Sequence, residues 1–214
     1  VLMCPSAAGL RRLLSLCHTF GISNDVKFNS GKSSIMICRS QKMKDVKFGD
    51  FHIGDDVIPY KPIVKYLGHY ISDDMSDDRD IKRQYQYLYG RANMLVKKFK
   101  NCSDDIKIEL FRSYCTGMYT GQLWWNYSKR VMKKLIVAYN RAFRLLMGLP
   151  RDCSASGMFA ESRLPSAQAI LRNLCLKFLK RLEISDNKLI ASIRCSDAWF
   201  LSNIKKHWLN ILYV

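Results

Sequence analysis

Between residues 81 and 99, apolar side chains recur at Ile81, Tyr85, Leu88, Ala92, Leu95 and Phe99, in steps of three and four. A strand places alternate residues on one face, so this spacing excludes a strand and specifies a long helix with a narrow apolar stripe. Lys82, Arg83, Arg91, Lys97 and Lys98 lie off that stripe. After Ser128 the same stepping returns at Val131, Leu135, Ala138, Ala142 and Leu145. Here Lys129, Arg130, Lys133, Lys134, Arg141 and Arg144 occupy the other faces, and Gly148 and Pro150 end the run.

Further helices are expected from Ser103 toward Tyr114, opened by Asp104 and Asp105, and from Ser166 through Ile170, Leu174, Phe178 and Leu182. A last helix opens at Ser196 and passes through Trp199, Ile204 and Trp208. The first third of the chain reads differently. Residues 1–4 suggest a short strand stopped by Pro5, and residues 6–20 a helix capped by Ser6 and closed at Gly21. A turn at 29–33 leads to a β-prone run at 34–38. Short β-prone pieces at 46–48, 51–53 and 63–71 are separated by Gly49-Asp50, Gly54-Asp55-Asp56 and the pair Pro59 and Pro62, the pattern of a small antiparallel meander. The expected class is α+β: a partial α/β layer and meander over 1–72, a basic all-α bundle over 73–151, and a helical extension over 152–214.

Charge is segregated along the chain. The 35 Lys and Arg against 18 Asp and Glu give a formal charge of +17. Residues 79–151 hold 16 of the bases and 4 of the acids, whereas residues 1–78 hold 10 and 9. Such a distribution is the electrostatic footprint of a surface that meets phosphates. A basic face kept only for solubility has the same composition. The two readings differ in whether the charge forms one contiguous groove. No run of 18 apolar residues is present, so no helical membrane span is expected. Val1 opens the chain inside an apolar run, with no basic leader before it, which reads as an internal stretch of something longer.

Several motifs carry chemistry by residue type. Asp73, Asp74, Asp77 and Asp78 cluster between strand and helix, where paired carboxylates could hold Mg²⁺. Capping of the following helix explains the same spacing. Asn29-Ser30-Gly31-Lys32-Ser33 resembles the end of a phosphate-binding loop, but Val26 stands where that loop requires glycine. The eight cysteines form no CxxC pair, and His18, His52, His69 and His207 complete no zinc pattern, so buried free thiols such as Cys17 and Cys175 are expected. Trp124 and Trp125 could stack on bases. The more common role is as core anchors, one buried and one partly so.

Taken in order, Val1-Leu2-Met3-Cys4-Pro5-Ser6 with Leu10, Asn29-Ser30-Gly31-Lys32-Ser33 and Tyr66-Leu67-Gly68 resemble the reverse transcriptase of a non-LTR (LINE-type) retrotransposon. Tyr89-Gly90-Arg91-Ala92-Asn93, Leu110-Phe111-Arg112-Ser113-Tyr114-Cys115 and Ala138-Tyr139-Asn140-Arg141-Ala142 resemble the region after the polymerase core of such elements. The resemblance implies that 1–72 is the end of the palm with the primer grip, 73–151 a thumb, and 152–214 the start of a C-terminal extension. It places Lys32 on the palm's lysine-bearing motif, a candidate catalytic acid, and Tyr66, Leu67 and Gly68 on the primer grip. Lys82, Arg83, Arg91, Lys97, Lys98, Lys133, Lys134 and Arg141 become candidate nucleic-acid contacts.

In that family a Tyr/Phe-Ala-Asp-Asp box, on a hairpin before the segment matching residues 1–4, binds the metal ions. The intact parent would thus be an Mg²⁺-dependent RNA-directed DNA polymerase, and this chain alone is expected to hold no metal and to be inactive. The implied partners are a template–primer RNA/DNA duplex and the upstream palm and fingers. The implied location is intracellular, in nucleus or cytoplasm, away from membranes. The alternative is a non-catalytic nucleic-acid-binding helical protein derived from such an element. A helical protein-interaction module would leave the basic excess unexplained.

Overall fold

The computed structural model describes residues 1–38 and 48–213. They form a mixed α+β structure in two compact units, Val1–Ser76 and Asp77–Val214.

In the first unit, helix α1 spans Ala7–Ser23, and the Ser6 hydroxyl accepts a hydrogen bond from the Gly9 N–H at 3.1 Å, as an N-cap does. The helix runs past its expected end at Gly21. That residue is buried, and the Val26 carbonyl lies 2.5 Å from where a Cβ would stand, so the glycine admits the returning chain without ending the helix. Residues 1–4 form no strand, and the 34–38 run contributes only Ile35, bridged to the segment around Tyr60 through its N–H to Pro59 O at 3.0 Å and its carbonyl to Lys61 N at 2.9 Å. β-prone residues become a strand only where a neighbour offers a ladder, and here one position has one.

Strands β1 (Phe51–Ile53) and β2 (Asp56–Ile58) form one antiparallel hairpin, and β3 (Ile63–Tyr66) and β4 (His69–Ser72) another. The expected meander is therefore two separate two-stranded sheets. Pro59 and Pro62 stand between them, and neither has an N–H to carry a ladder across. Most of the expected 46–48 strand lies outside the described residues. α1 packs on β1 around a core of Leu14, Ile35, Phe51 and Ile58. The Arg11 guanidinium closes it from above, 4.7 Å from the centre of the Phe51 ring. Leu16, Phe20 and Ile22 remain exposed on the helix.

The second unit begins with α2 (Asp78–Phe99), α3 (Asp104–Cys115) and α4 (Lys129–Met147), followed by α5 (Ala155–Glu161) and α6 (Ala167–Glu183). Three more helices end it, α7 (Lys188–Arg194), α8 (Asp197–Leu201) and α9 (Asn203–Tyr213). The α2 stripe is buried as its spacing requires, with Ile81, Leu88, Ala92 and Leu95 in the core and Tyr85 and Phe99 partly covered.

The α4 stripe differs at its end. Leu135, Ala138 and Ala142 are buried, but Leu145 is 51% exposed, and Tyr139, Phe143 and Leu146 are inside instead. α4 packs on α3 and α6 as well as α2, which widens its apolar arc toward Tyr139 and Phe143. Phe111, Tyr139, Phe143 and Phe159 then meet ring to ring, mostly at about 5 Å between centres.

α5 and α7, seven residues each, are too short for periodicity to reveal. The expected last helix is broken at Ser202, whose hydroxyl accepts from the Lys205 N–H and so starts α9 afresh. The main core continues through Met158, Phe159, Leu164 and Leu171, so helices on both sides of residue 151 share it. Among the described residues no helix is long and apolar enough to cross a membrane.

The start of α2 is tied to the α3–α4 connection by three aspartates. Asp80 is fully buried. Its Oδ1 accepts from Arg83 Nε at 2.8 Å, and its Oδ2 accepts from Thr120 Oγ1 at 2.9 Å and Trp124 Nε1 at 2.8 Å. Asp77 Oδ2 accepts the N–H groups of Trp125 and Asn126, each at 2.8 Å, and Asp78 Oδ1 accepts from Ser128 N at 2.7 Å. Gln84 adds a bond to the Gly117 carbonyl at 2.7 Å. Asp80→Ala would strand a buried guanidinium, an indole N–H and a hydroxyl, and should destabilise the protein by about 3 kcal/mol. Urea unfolding followed by tryptophan fluorescence measures this. The exposed Asp105→Ala should stay within about 0.5 kcal/mol of the parent.

Candidate nucleic-acid interface

α2 and α4 form the most extensive helix pair of the second unit, and an open cavity of about 480 Å³ lies along one flank of it. Tyr85 and Tyr89 come from α2, and Arg130, Lys133, Lys134, Val137 and Arg141 from α4. The helical repeat dictates this row. With Leu135, Ala138, Tyr139 and Ala142 turned into the core, residues 130, 133, 134, 137 and 141 fall together on the adjoining flank. The Ser128 hydroxyl caps the start of α4 through Val131 N, and Gly148, at φ +68°, ends it in the left-handed region. All four cations are exposed, and among the described residues no acid lines the cavity. Asp77, Asp78 and Asp80 are instead turned toward the 120–128 loop. The groove thus keeps a single sign of charge over tyrosine rings, which concentrates its field on an approaching anion.

The sequence candidates divide among several places. Lys133, Lys134 and Arg141 meet in this groove, and exposed Lys82 lies on the same side of α2 as Tyr85 and Tyr89, three and seven residues away. Lys97 and Lys98 are exposed in the last turn of α2, where they also complement the helix dipole. Arg83 is drawn inward to Asp80, with its guanidinium 5.5 Å from the centre of the Tyr87 ring. Arg91 sits about 200° around the helix from Tyr89 and donates to the Tyr114 carbonyl at 3.0 Å. Sequence reasoning did not single out Tyr85, Tyr89 or Arg130 as contacts. The signal is an aromatic i, i+4 pair on α2 and a basic i, i+3, i+4 row on α4, but Tyr85 also falls in the apolar stripe.

In the first unit, Tyr66, Leu67 and Gly68 form the tip of the β3–β4 hairpin, where Tyr66 pairs with His69. Leu67 and Gly68 have φ of 47° and 83°, so the two-residue turn is of type I′. Leu67 is 74% exposed, and it adopts a backbone conformation that disfavours branched side chains. Lys32 lies in a 3₁₀ turn, Ser30–Lys32. The Asn29 side chain accepts its N–H at 2.9 Å, and the lysine side chain is exposed.

Three of the four clustered acids are engaged in hydrogen bonds. Asp77 and Asp78 accept loop N–H groups, and Asp74 Oδ1 accepts from Ser72 Oγ at 2.5 Å and Ser76 N at 2.9 Å. Among the described residues no three His, Cys, Asp or Glu side chains are grouped to hold a metal. Trp124 is buried on Asp80 and so offers no stacking face, and Trp125 is partly covered.

Burial pushes the Cys115 and Cys175 thiols up to about 11, keeping both protonated and unreactive. It lowers His207, whose Nε2 stands 3.3 Å from the Tyr127 hydroxyl. Next to it, Trp208 Nε1 donates to the Gln122 carbonyl at 2.6 Å, so α9 braces the same loop that the aspartates hold. No family model, curated protein or solved structure matches the chain.

Because the folded His207 prefers to be neutral, acid favours the unfolded chain. Its contribution is intact above the ordinary histidine pKa of about 6.5 and is lost as pH falls below that value. Melting temperature measured across this range should drop less steeply in His207→Gln than in the parent. Leu67→Asn should raise stability by about 1 kcal/mol, since asparagine tolerates the left-handed region and little apolar burial is lost. Denaturant midpoints test it.

Proposed function

We propose that the chain grips a template–primer duplex, as the thumb and primer-holding region of a LINE-type reverse transcriptase. The observation that carries the duplex-binding part is the α2–α4 groove, where Arg130, Lys133, Lys134 and Arg141 converge around Tyr85 and Tyr89 with no acid among the described residues lining it. A surface that holds a growing duplex must accept every sequence, so its contacts go to phosphates and not to base edges. Flexible cations on the side of a rigid helix suit that task. The order of the quoted motifs supports the assignment to this family, and the exposed tip at Tyr66 and Leu67 fits a primer grip. On this reading Lys32 serves the nucleotide, and the exposed Leu16, Phe20 and Ile22 of α1 face the rest of the palm. In that family the metal ions are held by aspartates of a Tyr/Phe-Ala-Asp-Asp box, and no such box is found in this sequence.

Binding to an RNA/DNA hybrid of mixed sequence, followed by fluorescence anisotropy, tests the proposal. Four phosphate contacts predict a slope of log K against log[salt] near −3.6, a loss of about a hundredfold between 50 and 200 mM salt. Lys133→Glu with Lys134→Glu should weaken every sequence alike and reduce the slope by about 2. Arg172→Glu with Lys180→Glu, exposed on α6, should do much less. Equal losses from the two pairs would mean that net charge alone drives association, and would overturn the groove as the binding site.

A further inference from the structure

The two walls of the cationic groove differ in the hydrogen bonds they can make. Arg130, Lys133, Lys134 and Arg141 on α4 carry donors alone, and Val137 carries neither donor nor acceptor. Among the described residues, Tyr85 and Tyr89 on α2 supply the only side-chain acceptors of the lining, and a phenol donates as well. Both rings are packed against the main core and only partly exposed, so each side chain is held in place. Neither hydroxyl has a hydrogen-bond partner among the described residues. Other tyrosines of this unit do: Tyr139 donates to the Pro165 carbonyl at 2.9 Å, and the Tyr127 hydroxyl stands 3.3 Å from His207 Nε2. Packing by itself asks for no hydroxyl, since the same core takes the plain rings of Phe111, Phe143 and Phe159.

Tyr85 and Tyr89 stand one turn apart, about 6 Å along the axis of α2, close to the step between neighbouring nucleotides of one strand. The row of phenols and the row of cations line the same cavity. A strand with its phosphates on the α4 row can offer its sugars to the phenols of α2.

Resting on the duplex-grip reading, we propose that this groove takes the RNA strand of the hybrid, and that Tyr85 and Tyr89 recognise the 2′-hydroxyls of two neighbouring nucleotides. Phosphate oxygens only accept hydrogen bonds, and the cations of α4 already serve them. The 2′-hydroxyl both donates and accepts, as a phenol does, and it is the group that separates RNA from DNA. An A-form helix displays it along a wide, shallow minor groove that the flank of a protein helix can meet. Every ribonucleotide carries the same hydroxyl, so this contact chooses a strand without reading a sequence. On this division of labour the cations set how tightly a duplex is held, and the phenols set which strand lies in the groove.

Anisotropy titrations of the intact chain with three duplexes of one mixed sequence test this. They are an RNA/DNA hybrid, a DNA duplex, and a hybrid whose RNA strand carries 2′-fluorine, which keeps the A-form sugar but cannot donate. The parent should bind the natural hybrid about tenfold tighter than either of the others, the effect of two modest hydrogen bonds. Tyr85→Phe with Tyr89→Phe keeps both rings, and with them the packing. It should bring the hybrid down to the level of the DNA duplex and leave the salt slope unchanged, because no cation is lost. Equal parent affinity for hybrid and DNA would overturn the inference and leave the duplex grip standing. A double variant that keeps the preference for the hybrid would do the same. So would a fluorinated hybrid bound as tightly as the natural one, since helix shape would then be what is read. Equal losses of hybrid and DNA in the double variant would mean that the phenols serve phosphates, and would also overturn it. A parent that binds none of the three would overturn the duplex grip and this inference with it.

Discussion

A carboxylate with no access to water organises the second unit. Asp80 is buried in the first turn of α2, where an unpaired acid would be costly. It is accommodated because Arg83, Thr120 and Trp124 all donate to it. Two of those donors come from a loop some forty residues away in sequence, and their positions cannot drift without leaving a buried charge unsatisfied. A buried pair of this kind adds little net stability over a well-packed apolar core. What it supplies here is placement. With Asp77 and Asp78 holding the N–H groups of Trp125, Asn126 and Ser128, it brings the start of α4 to the start of α2.

The cationic groove follows from that placement. The cationic groove exists because α4 lies along α2 with its 130, 133, 134, 137 and 141 row on the flank, beside Tyr85 and Tyr89. Thr120, in a left-handed conformation, donates to the same Asp80 oxygen that accepts from the Trp124 indole. The groove offers several cations and suits a charged backbone of any sequence. The helices of this unit are held by a core in which Phe111, Tyr139, Phe143 and Phe159 meet ring to ring.

The first unit is built with less. Its core is four buried residues, and two short hairpins supply all of its strands among the described residues. An arginine over a phenylalanine ring and a glycine that admits a passing carbonyl do much of the work of closing it. Leu67 takes a left-handed conformation at an exposed turn, a local strain of the kind often retained where a side chain must be presented.

The long helices were legible from the amino-acid sequence, because a three- and four-residue apolar spacing over several turns has no other solution. Their caps at Ser6, Ser128 and Ser166 and the stop at Gly148 were legible too, since each is a local preference of the backbone. The excess of Lys and Arg over residues 79–151 was equally a property of the chain alone. Tertiary structure decided which of those charges share a groove, because that depends on the partner each helix face meets. It took Arg83 inward to Asp80 and set Arg91 on another side of α2, and it exposed Leu145 while burying Leu146. The acids that local spacing assigned to capping went to a distant loop, and the β-prone run at 34–38 stayed almost unpaired. In each case the deciding partner lies tens of residues away. Hydrogen bonds and burial are settled by proximity in space, which periodicity along one element does not encode.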